Sequence, residues 1–148
     1  MIERQELLEQ FNNTLKKMKK EWNKQFKEVN HSQFHILKIL AYDGPQKVTE
    51  LAETLQMTPG AITGASDKLV SKGYAKRKGA AGDRRVVYME IMDNGKQLLE
   101  SMIEKQRNVT AKFFEGLSDE DVNHLIRIYR HISNNLDRRA ASKPRNLI

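Results

Sequence analysis

The chain has 148 residues, of which 39% are hydrophobic and 30% charged. That is enough to bury one core without staples and too apolar for wholesale disorder. Lys and Arg number 26 against 19 Asp and Glu, for a net charge of +7 and a sequence pI near 9.6, which points to a polyanionic partner or an anionic surface. With no cysteine, disulfides, thiolate metal sites and thiol-based sensing are excluded, and a reducing compartment is suited. The N-terminal Met1-Ile2-Glu3-Arg4-Gln5 leads into no apolar h-region, and no apolar run approaches the roughly 20 residues of a membrane span. The expectation is a single-domain, soluble, cytoplasmic chain that does not engage a membrane.

In chain order, Leu7, Phe11, Leu15, Met18, Trp22, Phe26 and Val29 recur every three or four positions between Lys and Glu. They predict one long amphipathic helix with a heptad-like seam. Asn30 and Ser32 are candidate caps for a buried second helix, His31 to Ala41, stopped by Asp43-Gly44-Pro45. Thr49 to Leu55 reads as a short helix and Gln56-Met57 as a tight turn. Thr58 is an N-cap with Pro59 at the first helical position of a helix running to about Lys72, where Gly73 is the left-handed terminator. Tyr74 to Lys78 and Val86 to Met92 are rich in β-branched and aromatic residues and flank Gly79-Ala80-Ala81-Gly82-Asp83, predicting a hairpin with a long flexible tip.

Asp93 is read as the cap of a further long helix carrying Leu98, Leu99, Met102, Ile103, Val109, Phe113, Phe114 and Leu117 on one face. Ser118 starts the last helix, with Asp121 completing a weak capping box and Val122, Leu125, Ile126, Tyr129, Ile132 and Leu136 as its stripe. The tail from Asp137 onward, with Arg138, Arg139, Lys143 and Arg145, is expected to fray. The fold class is therefore mainly α with a small β-hairpin wing. A winged helix-turn-helix lobe (30–92) is flanked by long helices (1–29 and 94–138), with a basic tail at 139–148. The flanking stripes exceed what the small lobe can cover, which marks them as a dimer interface.

Two helices joined by a tight turn can be packing alone, but the charge distribution adds to the pattern. Residues 58–88 hold seven basic side chains (Lys68, Lys72, Lys76, Arg77, Lys78, Arg84, Arg85) against Asp67 and Asp83. That segment carries +5 of the chain's +7 on one helix and one hairpin, an electrostatic footprint for nucleic acid.

The stretch Val48-Thr49-Glu50-Leu51-Ala52, then Thr58-Pro59-Gly60-Ala61-Ile62-Thr63, Asp67-Lys68-Leu69, Lys72-Gly73-Tyr74, Arg77 and Asp83-Arg84-Arg85 resembles the MarR (multiple antibiotic resistance regulator) family. The wing signature is its most specific part. The resemblance implies a homodimeric, sequence-specific regulator, a repressor in outcome, that binds a pseudo-palindromic duplex through about Thr49 to Met89 and is released by a small aromatic ligand. Carried over residue by residue, Thr58, Pro59, Gly60 and Thr63 open the recognition helix and enter the major groove. The two hydroxyls would reach phosphate or base edges, and Lys68 would take a phosphate or guanine. Asp67 would pair with an Arg such as Arg77, and Asp83 would hold the Arg85 guanidinium for the minor groove; Lys72, Lys76 and Arg84 complete the expected DNA-binding set. A plain turn role for Asp83 is the competing reading. The sequence departs from the family at the wing tip, Gly79-Ala80-Ala81-Gly82, and at Met92-Asp93, where the family usually has Leu-Thr.

Trp22, Phe26, Phe34, His35 and Tyr42 could line a ligand cleft or simply be core. His31 with His35, and His124 with His131, could each share a helix face and hold a metal. Ordinary polar histidines are the competing reading, and no metal or other cofactor is assigned. No phosphate loop, nucleophile elbow or paired-carboxylate motif is present, so no enzyme is expected. A non-specific architectural DNA-binding protein and a protein-interaction module on the same scaffold remain alternatives.

Overall fold

A computed structural model describes residues 2–142. The elements, in order, are α1 (Ile2–Asn23), α2 (His31–Asp43), β1 (Gln46–Lys47), α3 (Val48–Leu55), α4 (Pro59–Ser71), β2 (Ala75–Ala80), β3 (Asp83–Ile91), α5 (Asp93–Lys112) and α6 (Asp119–Ser142). The chain divides into two compact units, one up to Ala111 and one from Lys112.

In the first unit, α1 ends at Asn23 rather than continuing to Val29. Asn30 caps α2 in a full capping box: its side chain accepts the Gln33 N–H at 2.9 Å, and Gln33 Oε1 accepts the Asn30 N–H at 3.0 Å. That box starts a new helix and lets the chain turn Val29, 3% exposed, into the core. It also satisfies Gln33, which would otherwise be an orphaned buried amide. The core gathers Ile36, Leu37 and Leu40 of α2, Leu51 of α3, Ile62 and Leu69 of α4, Met89 and Ile91 of β3, and Leu99 and Met102 of α5.

The local signals around the turn act as expected. Gln56 takes the left-handed conformation (φ 53°), Thr58 Oγ1 accepts the Ala61 N–H at 3.1 Å, and Gly73 is left-handed (φ 78°). Ile62, Ser66 and Leu69 are the buried side of α4, leaving Gly60, Thr63, Gly64 and Asp67 on the exposed side.

The sheet has three strands in the order β1-β3-β2, all antiparallel. β1 pairs Gln46 with Met89 and Lys47 with Tyr88; two residues give no sequence periodicity, so it went unpredicted. The hairpin tip is shorter than expected, only Ala81-Gly82, with Gly82 at φ 89°. Pairing is regular from Ala75↔Ile91 to Gly79↔Val87 and then jumps to Ala80↔Asp83, so Arg84, Arg85 and Val86 bulge out of the ladder.

Asp93 is the first residue of α5 and not its cap, because the Met92 carbonyl accepts the Lys96 N–H at 3.0 Å. Asp93 instead places negative charge in the first turn, where the helix dipole favours it. Gly95 packs on the wing base: a Cβ there would lie 2.2 Å from the Tyr74 carbonyl oxygen.

In the second unit, helix stops at Lys112 and Gly116 is left-handed (φ 84°), so Phe113, Phe114 and Leu117 belong to a turn and not to the predicted α5 face. Ser118 Oγ accepts the Asp121 N–H at 3.1 Å and caps α6. α6 continues through 137–142, where fraying was expected; Lys143 and Arg145 lie outside the described residues. A cleft of about 330 Å³ is lined by Phe114, Leu117, Val122, Leu125, Ile126 and Tyr129.

Candidate nucleic-acid interface

The N-terminal turn of α4 is open to solvent: Thr58, Pro59, Gly60 and Thr63 are all exposed. The Thr58 hydroxyl oxygen is engaged in the cap while its proton remains available, which suits donation to a phosphate. Thr63 is the converse, since its hydroxyl donates to the Pro59 carbonyl at 2.9 Å and keeps only acceptor capacity outward. No Cβ or neighbour lies within 4 Å of the space above Gly60, so a duplex backbone can come close there.

The basic residues divide into two groups. Arg77 forms an ion pair with Asp67, joining the wing strand β2 to α4 as the sequence suggested. Lys72 Nζ donates to the Glu28 carbonyl at 2.6 Å, so its ammonium is turned to the α1–α2 connection. Lys68, Lys76, Lys78, Arg84 and Arg85 are exposed and form no ion pair among the described residues. Lys76 and Lys78 alternate with Arg77 along β2, so they face the other side of the ribbon.

Asp83 holds Arg85 differently from the expectation. Its Oδ1 accepts the backbone N–H of Arg85 at 2.9 Å; the guanidinium is not its partner. The bulge removes the strict alternation that would have aligned the two side chains, and the Asp83 carboxylate fixes the bulged backbone that presents Arg84 and Arg85. Beside it, Arg85 lines a cleft of about 300 Å³ with Lys47, Val48, Thr49, Val86 and Val87. Neither Lys47 nor Thr49 is among the contact residues expected from sequence, although Thr49 opens the expected reading stretch, because their place next to the wing depends on β1; Lys47 Nζ also lies 5.7 Å from the Tyr88 ring centroid.

A second cavity, of about 500 Å³, lies between α1, α2 and α5. Trp22, Phe26, Phe34 and His35 line it, joined by His31, Lys38, Ile103, Gln106 and Thr110. Tyr42 does not: it is 67% exposed and outside the lining. Trp22 Nε1 donates to Thr110 Oγ1 at 2.8 Å, the Phe26 ring sits 3.9 Å from His31, and Phe26 meets Phe34 edge-on at 5.6 Å. Burial, then the nearby His31 and Lys38, push the His35 pKa below its usual value. His31 donates to Asn23 and His124 lies 3.6 Å from Glu120; among the described residues no group of three or more His, Asp or Glu is placed to hold a metal ion. No described helix is long and apolar enough to cross a membrane.

Comparison with known proteins bears on the same segment. The profile of the MarR family matches residues 29–87. The chain is 34% identical over 103 residues to the HTH-type transcriptional regulator YpoP of Bacillus subtilis, covering 70% of this chain and 73% of that protein. It is 29% identical over 94 residues to the HTH-type transcriptional repressor MdtR of the same organism, covering 64% and 61% respectively. Among solved structures, the YusO protein of Bacillus subtilis superposes with a TM-score of 0.81 at 22% identity, covering 88% of this chain and 94% of its own. Family profile, relative and fold agree on a winged helix-turn-helix, and the chain belongs to the MarR family of DNA-binding transcription regulators.

Proposed function

We propose that this chain is a homodimeric repressor that binds a pseudo-palindromic operator, with α4 in the major groove and Arg84 and Arg85 at the adjacent minor groove. The observation that carries the reading is an open, capped α4 N-terminus in the same segment as exposed cations without ion pairs, Lys68 in the last turn of α4 and Lys76, Lys78, Arg84 and Arg85 on the wing strands. Such a terminus can dock to a base-pair edge while the flanking cations fix it to phosphates. Repression is the outcome borne in the name of MdtR.

Dimerisation is supported by apolar side chains left open to solvent. Leu7, Leu8 and Phe11 of α1 are 58–65% exposed, and Ile126, Ile128, Tyr129, Ile132 and Leu136 of α6 are 42–62% exposed. Monomers rarely leave such stripes uncovered. The 500 Å³ cavity, aromatic on two walls with Lys38 and Gln106 at its edge, suits a small aromatic effector bearing an anionic or hydrogen-bonding group.

Binding of the purified chain to a selected palindrome and to a scrambled duplex, over a salt series, tests the reading. A large preference for the palindrome and a slope of log K against log salt of roughly −5 to −9 are expected if three to five phosphates are neutralised per protomer. Equal affinity for both duplexes would mark an architectural DNA-binding protein, and a slope near zero would remove the basic segment from the contact surface. Sedimentation showing a stable monomer at micromolar concentration would exclude the dimer.

A further inference from the structure

The connection between α1 and α2, residues 24–30, touches the cavity and the recognition helix at points two residues apart. At one point Phe26 forms cavity wall, against His31 and Phe34. At the other, Glu28 is held from the DNA-binding side by two hydrogen bonds. Lys72, the C-terminal cap residue of α4, donates from Nζ to the Glu28 carbonyl at 2.6 Å; the Tyr74 hydroxyl donates to Glu28 Oε2 at 3.1 Å. Tyr74 is the residue before β2, and its own carbonyl accepts the Met92 N–H at 2.9 Å, so it joins recognition helix, wing and α5. Val29 and Asn30 follow at once, the first buried in the core and the second locked in the α2 capping box. Two residues of chain span at most about 7 Å, which leaves little slack between Phe26 and Glu28. A shift of Phe26 therefore strains either the Glu28 bonds or the α2 cap. The cap is internally satisfied, whereas Glu28, Lys72 and Tyr74 meet at the surface, where water can replace a lost partner at small net cost.

We propose that Glu28 is a positioning residue: a latch through which displacement of the Phe26 cavity wall is delivered to the end of the recognition helix and the base of the wing. The latch deepens the reading of α4 and the wing as the DNA-binding surface and rests on it. Occupation of the cavity pulls residues 26–28 away from Lys72 and Tyr74, and the joint they form loosens.

The test is a cycle of four full-length chains: unsubstituted, Phe26→Leu, Lys72→Met with Tyr74→Phe, and the triple variant. Phe26→Leu alters the cavity wall without touching the exposed face of α4 or the wing. Lys72→Met removes a charge, and the cycle divides that effect out by comparing ratios. With the latch intact, Phe26→Leu changes operator Kd by about fivefold or more, the low end of ordinary couplings, and by less than about twofold once the latch is cut. The same factor in both backgrounds, or none in either, overturns the proposal. Amide hydrogen exchange of the free chains reads the same cycle: the Gly73, Tyr74 and Met92 amides exchange faster in Phe26→Leu, with no further acceleration in the cut background. Identical acceleration in both backgrounds again overturns it. Should no variant, nor the unsubstituted chain, bind duplex DNA, the functional reading fails while the exchange data still decide the latch. Phe26→Tyr, which keeps the ring and adds one hydroxyl at the wall, stands in if Phe26→Leu does not fold.

Discussion

One substitution, glycine to alanine, is expected to give a different result at each of three positions, and the surroundings of each glycine decide which. At Gly95 a Cβ would lie 2.2 Å from the Tyr74 carbonyl oxygen and 2.9 Å from Ile91 Cγ1. The start of α5 and the wing base would have to separate by about 1 Å, at an overpacking cost of about 1–3 kcal/mol. The Met92–Tyr74 backbone hydrogen bond (2.9 Å) sits in the same gap, and losing it adds about 1 kcal/mol. Better helix propensity returns about 1 kcal/mol, so Gly95→Ala is expected to cost about 1–3 kcal/mol. At Gly64, inside α4 with nothing within 4 Å, the same change contributes about 1 kcal/mol of stability. For a chain of this size each kcal/mol moves Tm by about 2–4 °C, so Gly95→Ala lowers Tm by about 2–12 °C and Gly64→Ala raises it by about 2–4 °C. Gly60→Ala, also in open space, leaves Tm nearly unchanged but weakens operator binding, because its methyl meets the duplex. Thermal unfolding at one fixed protein concentration, with operator titrations beside it, checks all three. An unchanged Tm for Gly95→Ala, or a lowered one for Gly64→Ala, would refute the packing argument.

Arg85→Ala is expected to cost about 1–3 kcal/mol of operator affinity per wing and to relax any preference for A·T-rich flanks, read by titrating operators with A·T and G·C flanks. Asp83→Ala should lose part of that affinity by freeing the bulge, whereas Asp83→Asn should retain more of it, since an amide oxygen still accepts the Arg85 N–H, though more weakly than a carboxylate; identical behaviour of the two Asp83 variants would show that the contact positions nothing. The His35 pKa is lowered in the fold by burial and by His31 and Lys38, so the unfolded chain takes up the proton first. Stability is then fully present above about pH 6.5 and falls as pH drops below that value toward the folded pKa. His35→Gln should flatten this fall in Tm between about pH 7 and 5, and parallel Tm–pH curves for the two proteins would refute it.

The parts of this fold legible in sequence are those decided within one turn of chain. Thr58-Pro59 and Gly73 bound α4 because capping and left-handed termination involve only neighbouring residues. The end of α1 was not legible from periodicity, since Phe26 and Val29 keep helical spacing whether or not the helix continues; the signal was the Asn30–Gln33 capping box. Tyr42 follows His35 by two helical turns and so shares its face of α2, yet the cavity does not extend that far. Asp83 takes the competing turn role, accepting the Arg85 backbone N–H and not holding its guanidinium, because a bulge beginning at Gly79/Ala80 depends on strand register and not on the wing residues alone. Lys47 and Thr49 come beside Arg85 only through β1, whose two residues carry no pattern.

Charge counting also allots too much to the duplex. Of the seven cations in residues 58–88, Arg77 faces Asp67 and Lys72 faces the Glu28 carbonyl. Both tie the reading elements to the scaffold, Arg77 linking wing to recognition helix and Lys72 linking that helix to the connection beyond Phe26. The exposed Arg77–Asp67 pair adds little stability by itself, and its consequence is geometric, because it joins β2 to α4. Lys68, Lys76, Lys78, Arg84 and Arg85 remain for phosphates and grooves, five in each protomer. A dimer using all of them would neutralise ten phosphates, for a salt slope of about −9. Lys76→Ala should therefore make the slope shallower by about one unit per protomer. Arg77→Ala should instead lower affinity with the slope nearly unchanged, since what it removes is the wing's placement and not a counterion-releasing contact. If Arg77→Ala shifts the slope as far as Lys76→Ala does, the guanidinium leaves Asp67 on binding and the division of the cations drawn from the free chain does not survive in the complex.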